Sequence, residues 1–322
     1  MKKIIFALTG ILLFFNSSSC DPNKDKDDTG SGTNGGGVDI KYEMTVSIDA
    51  LDVVKNLKDL DNTDLFPNGV IDNEGYCVRA QLFVFNEDGS LFSEDVQMLA
   101  DFSQKAKVTK SMPSGKYTLV ATADMVRLDG EKVEFQCWDF QNKTSLRNFR
   151  IVDIGYVGLE YKALGVSRSE VEIKKALSEN IDVQPVGALI TFFFHNLNAS
   201  EMGYLYYAWN KDQDYYSAGD GTSNSVNDDI ENEYEVDAQY TGFYDKRYFL
   251  PVNNVTLFWA TLTKDIVVIK EGNTAFNVEV GNNITITVDV KAGTAAVSRS
   301  TRAASFSLDD IDYNRRPIKE RQ

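Results

Sequence analysis

From Val38 to Ala50 the chain reads VDIKYEMTVSIDA. Ile40, Tyr42, Met44, Val46, Ile48 and Ala50 alternate there with Asp39, Lys41, Glu43, Thr45, Ser47 and Asp49. Successive side chains of a strand point to opposite faces, so this pattern predicts a half-buried β-strand. The stretch NITITVDVK repeats it, with Ile284, Ile286, Val288 and Val290 on one face and Thr285, Thr287, Asp289 and Lys291 on the other. Between them lie apolar runs broken by turn residues. YCVRAQLFVF (76–85) precedes NEDGS, whose Asp88-Gly89 is a hairpin signal. KAKVTK (105–110) leads through SMPSG into KYTLVATAD (116–124). GALITFFFHNL (187–197), RYFLPV (247–252), VTLFWATL (255–262), DIVVI (265–269) and AFNVEV (275–280) also read as strands.

Helical periodicity is scarce. LDVVKNLKDL (51–60) fits a short helix. SEVEIKKALSE (169–179) carries a capping-box pattern from Ser169 to Glu172 and fits a strand equally well. Many short strands with Gly, Pro and Asp-Gly turns define an all-β chain built of β-sandwiches. A connector near ALGVSRSE divides it into an N-terminal sandwich over 38–165 and a C-terminal one over 166–322. Residues 211–237, with nine acids, are expected to form a long acidic loop.

The first residues have a different pattern. Met1, Lys2 and Lys3 precede an apolar run from Ile4 to Phe15, then Ser17, Ser18, Ser19 and Cys20. A basic head, a short apolar run and small residues make a secretory signal, here over 1–19. The run falls short of the roughly 20 apolar residues that span a bilayer. Small residues directly before a cysteine suggest a lipobox, with cleavage before Cys20 and acylation of its thiol and amine. An ordinary signal peptide with an incidental cysteine is the alternative. Residues 20–37, DPNKDKDDTGSGTNGGG after the cysteine, cannot bury apolar surface and read as a disordered tether. Asn23, Asp25 and Asp27 do not make a calcium loop, because Asp28 stands where glycine is required.

Charge and composition narrow the chemistry. The 322 residues carry 33 basic and 48 acidic side chains, a net charge of −15. Loss of residues 1–19 takes Lys2 and Lys3 and no acid, giving −17. Such a chain repels phosphate backbones, which argues against nucleic acid as a partner. An apolar content of 43% suffices for two cores. Cys77 and Cys137 fit either a disulfide or two buried thiols. With His195 as the single histidine, a structural zinc site is not expected. There is no G-x-S-x-G, H-E-x-x-H or P-loop, and His195 reads as a strand-end residue rather than a base. No cofactor and no catalytic set is expected; glycosidase chemistry needs only two placed carboxylates, and nothing singles out a pair.

One aromatic cluster stands out. YLYYAWNKDQDYY (204–216) holds Tyr207, Trp209, Tyr215 and Tyr216, a candidate surface for a protein partner or a glycan. The competing reading turns Tyr204, Tyr206 and Ala208 to a core, with Tyr207 and Trp209 packing at its edge.

The SSSC ahead of the tether, the pairing of RAQLFVFNEDGSL with MPSGKYTLVATAD, and the opening VQPVGALITFFF resemble the fimbrillin-type lipoproteins of Bacteroidales, most closely their fimbrial anchor or accessory subunits. The resemblance implies two tandem transthyretin-like, Greek-key β-sandwich domains. It implies a non-catalytic lipoprotein, lipid-anchored through Cys20 in the cell outer membrane and facing outward, with other fimbrial subunits as partners. The acids after Cys20 also resemble a surface-export signal. Shaft subunits of the family lose an N-terminal segment at an arginine and join by strand donation. Here no arginine precedes Arg79, which suits an anchor. The alternative is a glycan-binding surface lipoprotein of a polysaccharide-uptake system; surface glycans or host proteins are further candidate partners. AASFSL (303–308) offers one more strand in a charged tail of undecided role.

Overall fold

A computed structural model describes residues 40–50, 52–53, 76–99, 104–154, 164–238, 241–301 and 313–314. The chain divides into two units, Met1–Val38 and Asp39–Gln322. The first, with Cys20 and residues 21–37, lies outside the described residues; the second holds every described strand. Of the helix expected over 51–60, only Asp52 and Val53 are described, and both are helical.

The strands are β1 Lys41–Asp49, β2 Tyr76–Asn86, β3 Leu91–Leu99, β4 Ala106–Pro113, β5 Gly115–Asp129, β6 Lys132–Gln136, β7 Trp138–Gln141, β8 Arg150–Asp153, β9 Leu164–Ile173 and β10 Leu177–Asp182. They continue with β11 Ala188–His195, β12 Tyr204–Trp209, β13 Asp212–Ser217, β14 Thr222–Val226, β15 Ile230–Glu235, β16 Gly242–Phe249, β17 Val252–Leu262, β18 Val268–Val278, β19 Asn282–Asp289, β20 Thr294–Thr301 and β21 Tyr313–Asn314. The all-β sandwich expectation holds. The ambiguous 169–179 stretch belongs to two strands, β9 and β10.

The first sandwich sets the sheet β10-β1-β4 against the sheet β3-β2-β5, whose far edge is filled by β9 and then β6 along the length of β5. The alternation read in β1 places Met44, Val46 and Ile48 in the core. At the β2–β3 turn Gly89 adopts φ 82°, which an L side chain resists, and the Asp88 carboxylate accepts from the Ser90 amide at 2.8 Å. β2 is buried on both faces from Cys77 to Phe85. Val78, Ala80, Leu82 and Val84 pack inward, while Arg79, Gln81, Phe83 and Phe85 face a third layer. A strand sandwiched between two layers reads as a continuous apolar run rather than an alternating one.

The second sandwich pairs the sheet β20-β19-β11-β16-β21 with β15-β12-β17-β18. Its core is aromatic, with Phe192 stacked on Trp209 at 5.3 Å and Phe194 against Tyr207 at 5.0 Å. Ala188 belongs to this core, and its neighbour Leu189 to the first. Alternation along this strand, the one that follows Pro185, thus hands the chain from one core to the other.

The acidic loop expected at 211–237 is not what the structure contains. These residues hold β13, β14 and β15. β13 and β14 form a hairpin, and β13 pairs with β8 of the first half, giving the sheet β14-β13-β8-β7. Tyr215, Tyr216 and Ser217 lie opposite Val152, Ile151 and Arg150. The hairpin is polar because one of its faces meets solvent, and it is ordered because its backbone completes a ladder begun far earlier in the chain. Close by, the buried Tyr248 donates from its hydroxyl to the Leu164 carbonyl at 2.9 Å and meets Trp138 edge to face at 6.4 Å. A Cβ on Gly187 would strike the Phe249 carbonyl and the Tyr248 ring, so this crossing needs glycine. The two sandwiches are therefore joined by a shared sheet and a packed seam.

Candidate functional surface

Of the residues singled out in the sequence, Cys20 lies outside the described part. The others do not make an exposed platform. Tyr207, Trp209 and Tyr216 are buried, and Tyr215 is half-buried beneath the Arg150 guanidinium, 4.2 Å from its ring. The competing reading of β12 had its parity reversed. Leu205, Tyr207 and Trp209 face the core, while Tyr204 and Tyr206 face outward. The inward set carries the larger apolar volume, and Ala208 leaves the outer face shallow.

Tyr207 and Trp209 belong instead to a buried polar cluster. Tyr207 donates to the Asp245 carboxylate at 3.0 Å, and Arg247 donates to the same carboxylate at 2.7 Å and to the Asn232 side chain at 3.2 Å. The Arg247 guanidinium lies 5.7 Å from the Trp209 ring centre. Burial, and then the Asp245 charge, push the Tyr207 hydroxyl pKa well above its ordinary value. A phenol so held is a structural donor, not a proton shuttle at neutral pH.

A second buried cluster sits between β2, β5 and β7. Arg79 donates to Asp124 in bidentate fashion at 2.9 and 2.7 Å, to Gln136 at 2.7 Å and to the Trp138 carbonyl at 3.2 Å. Its guanidinium lies 4.7 Å from the Phe140 ring centre. Burial raises the Asp124 pKa above its ordinary value, and Arg79 offsets only part of that rise. The Cys77 thiol nearby is pushed up to about 11, first by burial and then by Asp124. Cys77 and Cys137 are both buried thiols. The sequence signal for this cluster was a lone arginine and a lone aspartate inside apolar runs. His195 ends β11 as expected, stacked on Phe193 at 5.6 Å. No group of three His, Cys, Asp or Glu among the described residues is placed to hold a metal.

The face that the second sandwich does present is the outer side of β15-β12-β17-β18. Register places Glu235, Tyr204, Leu262 and Val268 in one row, Glu233, Tyr206, Ala260 and Glu271 in the next, and Glu231, Ala208, Phe258 and Asn273 in the third. An acidic edge thus borders aromatic and aliphatic columns. Phe258 is 42% exposed and Val268 51%. Tyr206 is half-buried and hydrogen-bonded to Glu231, and burial followed by that contact raises its pKa to about 12. The face runs on into the β17–β18 turn, where Ile266 and Val267 are 73% and 60% exposed. The sequence shows the four-residue IVVI run, but nothing in it says that the run is exposed.

No protein-family model matches the chain, and no curated protein matches its sequence. Solved structures do match. A candidate polysaccharide-binding protein from Bacteroides thetaiotaomicron superposes with a TM-score of 0.50 over 81% of this chain and 96% of that one, at 12% identity. The fold is shared. The fimbrial anchor protein Mfa2 from Porphyromonas gingivalis aligns at a TM-score of 0.47 and 14% identity, over 82% of this chain and 98% of its own. The tip fimbrial protein Mfa3 from the same organism, truncated at its C-terminus, gives 0.42 and 10%, over 81% and 99%. At these identities the likeness speaks to the fold alone.

Proposed function

We propose that the chain is a surface-exposed outer-membrane lipoprotein, anchored through Cys20, that serves as an anchor or accessory subunit of a fimbria. It works by assembly and adhesion rather than catalysis. The observation that carries this reading is the shared sheet between the halves. Domain interfaces within one chain commonly allow relative motion. Here backbone pairing of β8 with β13, the Tyr248 seam and the Gly187 crossing tie the sandwiches together. Such a build suits a subunit that bears load between an anchor and a partner.

The signal at 1–19 and the polar stretch 21–37 support lipidation and tethering. The test is Cys20→Ser expressed in the native cell. The protein, together with attached subunits, is expected to leave the membrane fraction while keeping its melting temperature. Retention in the membrane refutes the lipid anchor. The glycan-binding alternative draws on the shared Bacteroides fold, but the Tyr/Trp platform it needed is buried at Tyr207 and Trp209.

A further inference from the structure

The outer face of β15-β12-β17-β18 serves neither core. Phe258, Leu262 and Val268 lie along it beside Tyr204 and Tyr206, and Ile266 and Val267 extend it over the end of the sandwich. Isolated exposed apolar residues are ordinary, but a contiguous patch with a polar border marks an interaction site. Ile266 adds an independent observation. It holds φ 61°, a left-handed conformation that glycine or asparagine adopts easily and a β-branched residue does not. Its side chain is among the most exposed apolar ones, so folding gains almost nothing from isoleucine there. Strained residues that the fold does not need cluster where something binds.

The chemistry of the border selects the occupant. Glu231, Glu233 and Glu235 line the β15 edge and Glu271 stands on β18. A second copy of this chain would bring an acidic edge against an acidic one, within a molecule already at −15. An anionic lipid surface is repelled for the same reason. A glycan stacks on aromatic rings, and would leave Leu262, Val268, Ile266 and Val267 without partners. We propose that this face docks a different protein, one that presents an apolar patch flanked by lysine or arginine. The partner's place in a fimbria rests on the assembly reading above; the position of the face does not.

The test uses the full chain in its own cells, with a photo-crosslinking benzoylphenylalanine placed at Phe258 and, as a control, at Thr285 on the outer face of the other sheet. The expected result is an adduct with a distinct protein from position 258 and none from 285. The crosslinked peptide should be apolar with basic neighbours. Glu231→Lys together with Glu235→Lys should lower the yield about tenfold, as loss of interfacial charge complementarity does, while the purified protein keeps its β-sheet circular dichroism spectrum and a cooperative melt. An adduct with the chain itself, with lipid or with polysaccharide overturns the proposal, as does the absence of any adduct. If a general amine crosslinker still recovers other subunits when position 258 captures nothing, the face is wrong and the assembly reading stands. If neither recovers a protein, both fall.

Discussion

Replacing Arg79 by leucine removes the only described cation that pairs with Asp124, a residue with no solvent exposure. Three further contacts go with it: Gln136, the Trp138 carbonyl and the Phe140 ring. Breaking one partner out of a buried ion pair costs about 3–5 kcal/mol, because the other charge is left unpaired. For a folded unit of this size that lowers the melting temperature by about 10 °C. The loss should depend on pH. Without the guanidinium, burial alone acts on Asp124 and raises its pKa further above the unfolded value of about 4. The carboxyl is then tolerated where it is protonated in both states. Stability is lost as pH rises through the folded value. The gap between variant and wild type is therefore smallest near pH 4 and widest near pH 8. Arg79→Met with Asp124→Leu removes both charges and should recover at least half of the loss, since apolar replacement of a buried pair is often neutral. Thermal melts by circular dichroism at several pH values measure all three proteins. A single variant that melts within about 2 °C of wild type at pH 8, or a gap that widens toward acid, refutes the reasoning.

Three other outcomes rest on the same geometry. Ile266→Gly relieves a left-handed β-branched residue and should stabilise the fold by about 1 kcal/mol; a lower melting temperature would contradict that. Val46→Asp places a charge in a fully buried position of β1 and should cost several kcal/mol, read as a large loss in urea midpoint; an unchanged midpoint would contradict it. Cys77, with its thiol pushed up to about 11, should resist iodoacetamide at pH 8 in the native protein and react once urea unfolds it; rapid native labelling would place it elsewhere.

Local pattern revealed the strands that have one wet face and one dry face. β1 and β19 alternate cleanly because each lies between a core and solvent. The Asp88-Gly89 turn was legible because its backbone demands those residue types. β12 was not, because Tyr204 and Tyr206 compete with Tyr207 and Trp209 as the apolar face and no local rule ranks them. The β13–β14 hairpin was hidden for a different reason. Its residues are polar, and what orders them is a ladder with β8, a pairing that composition does not encode. The exposed face of β12 and β17 was hidden by the same missing information. Only the registers of four strands bring Tyr206, Phe258 and Val268 onto one side. The AASFSL strand expected at 303–308 lies outside the described residues, although Tyr313 and Asn314 beyond it pair in parallel with Gly242 and Phe243 of β16.

At the cell surface, this chain is proposed to act by holding other proteins. The most direct measurement is gentle crosslinking of intact cells, detergent extraction through a C-terminal tag, and mass spectrometry of the recovered complexes. A ladder of fimbrial subunits attached to the tagged chain is the expected result. Recovery of an outer-membrane porin or of bound polysaccharide in their place would contradict it.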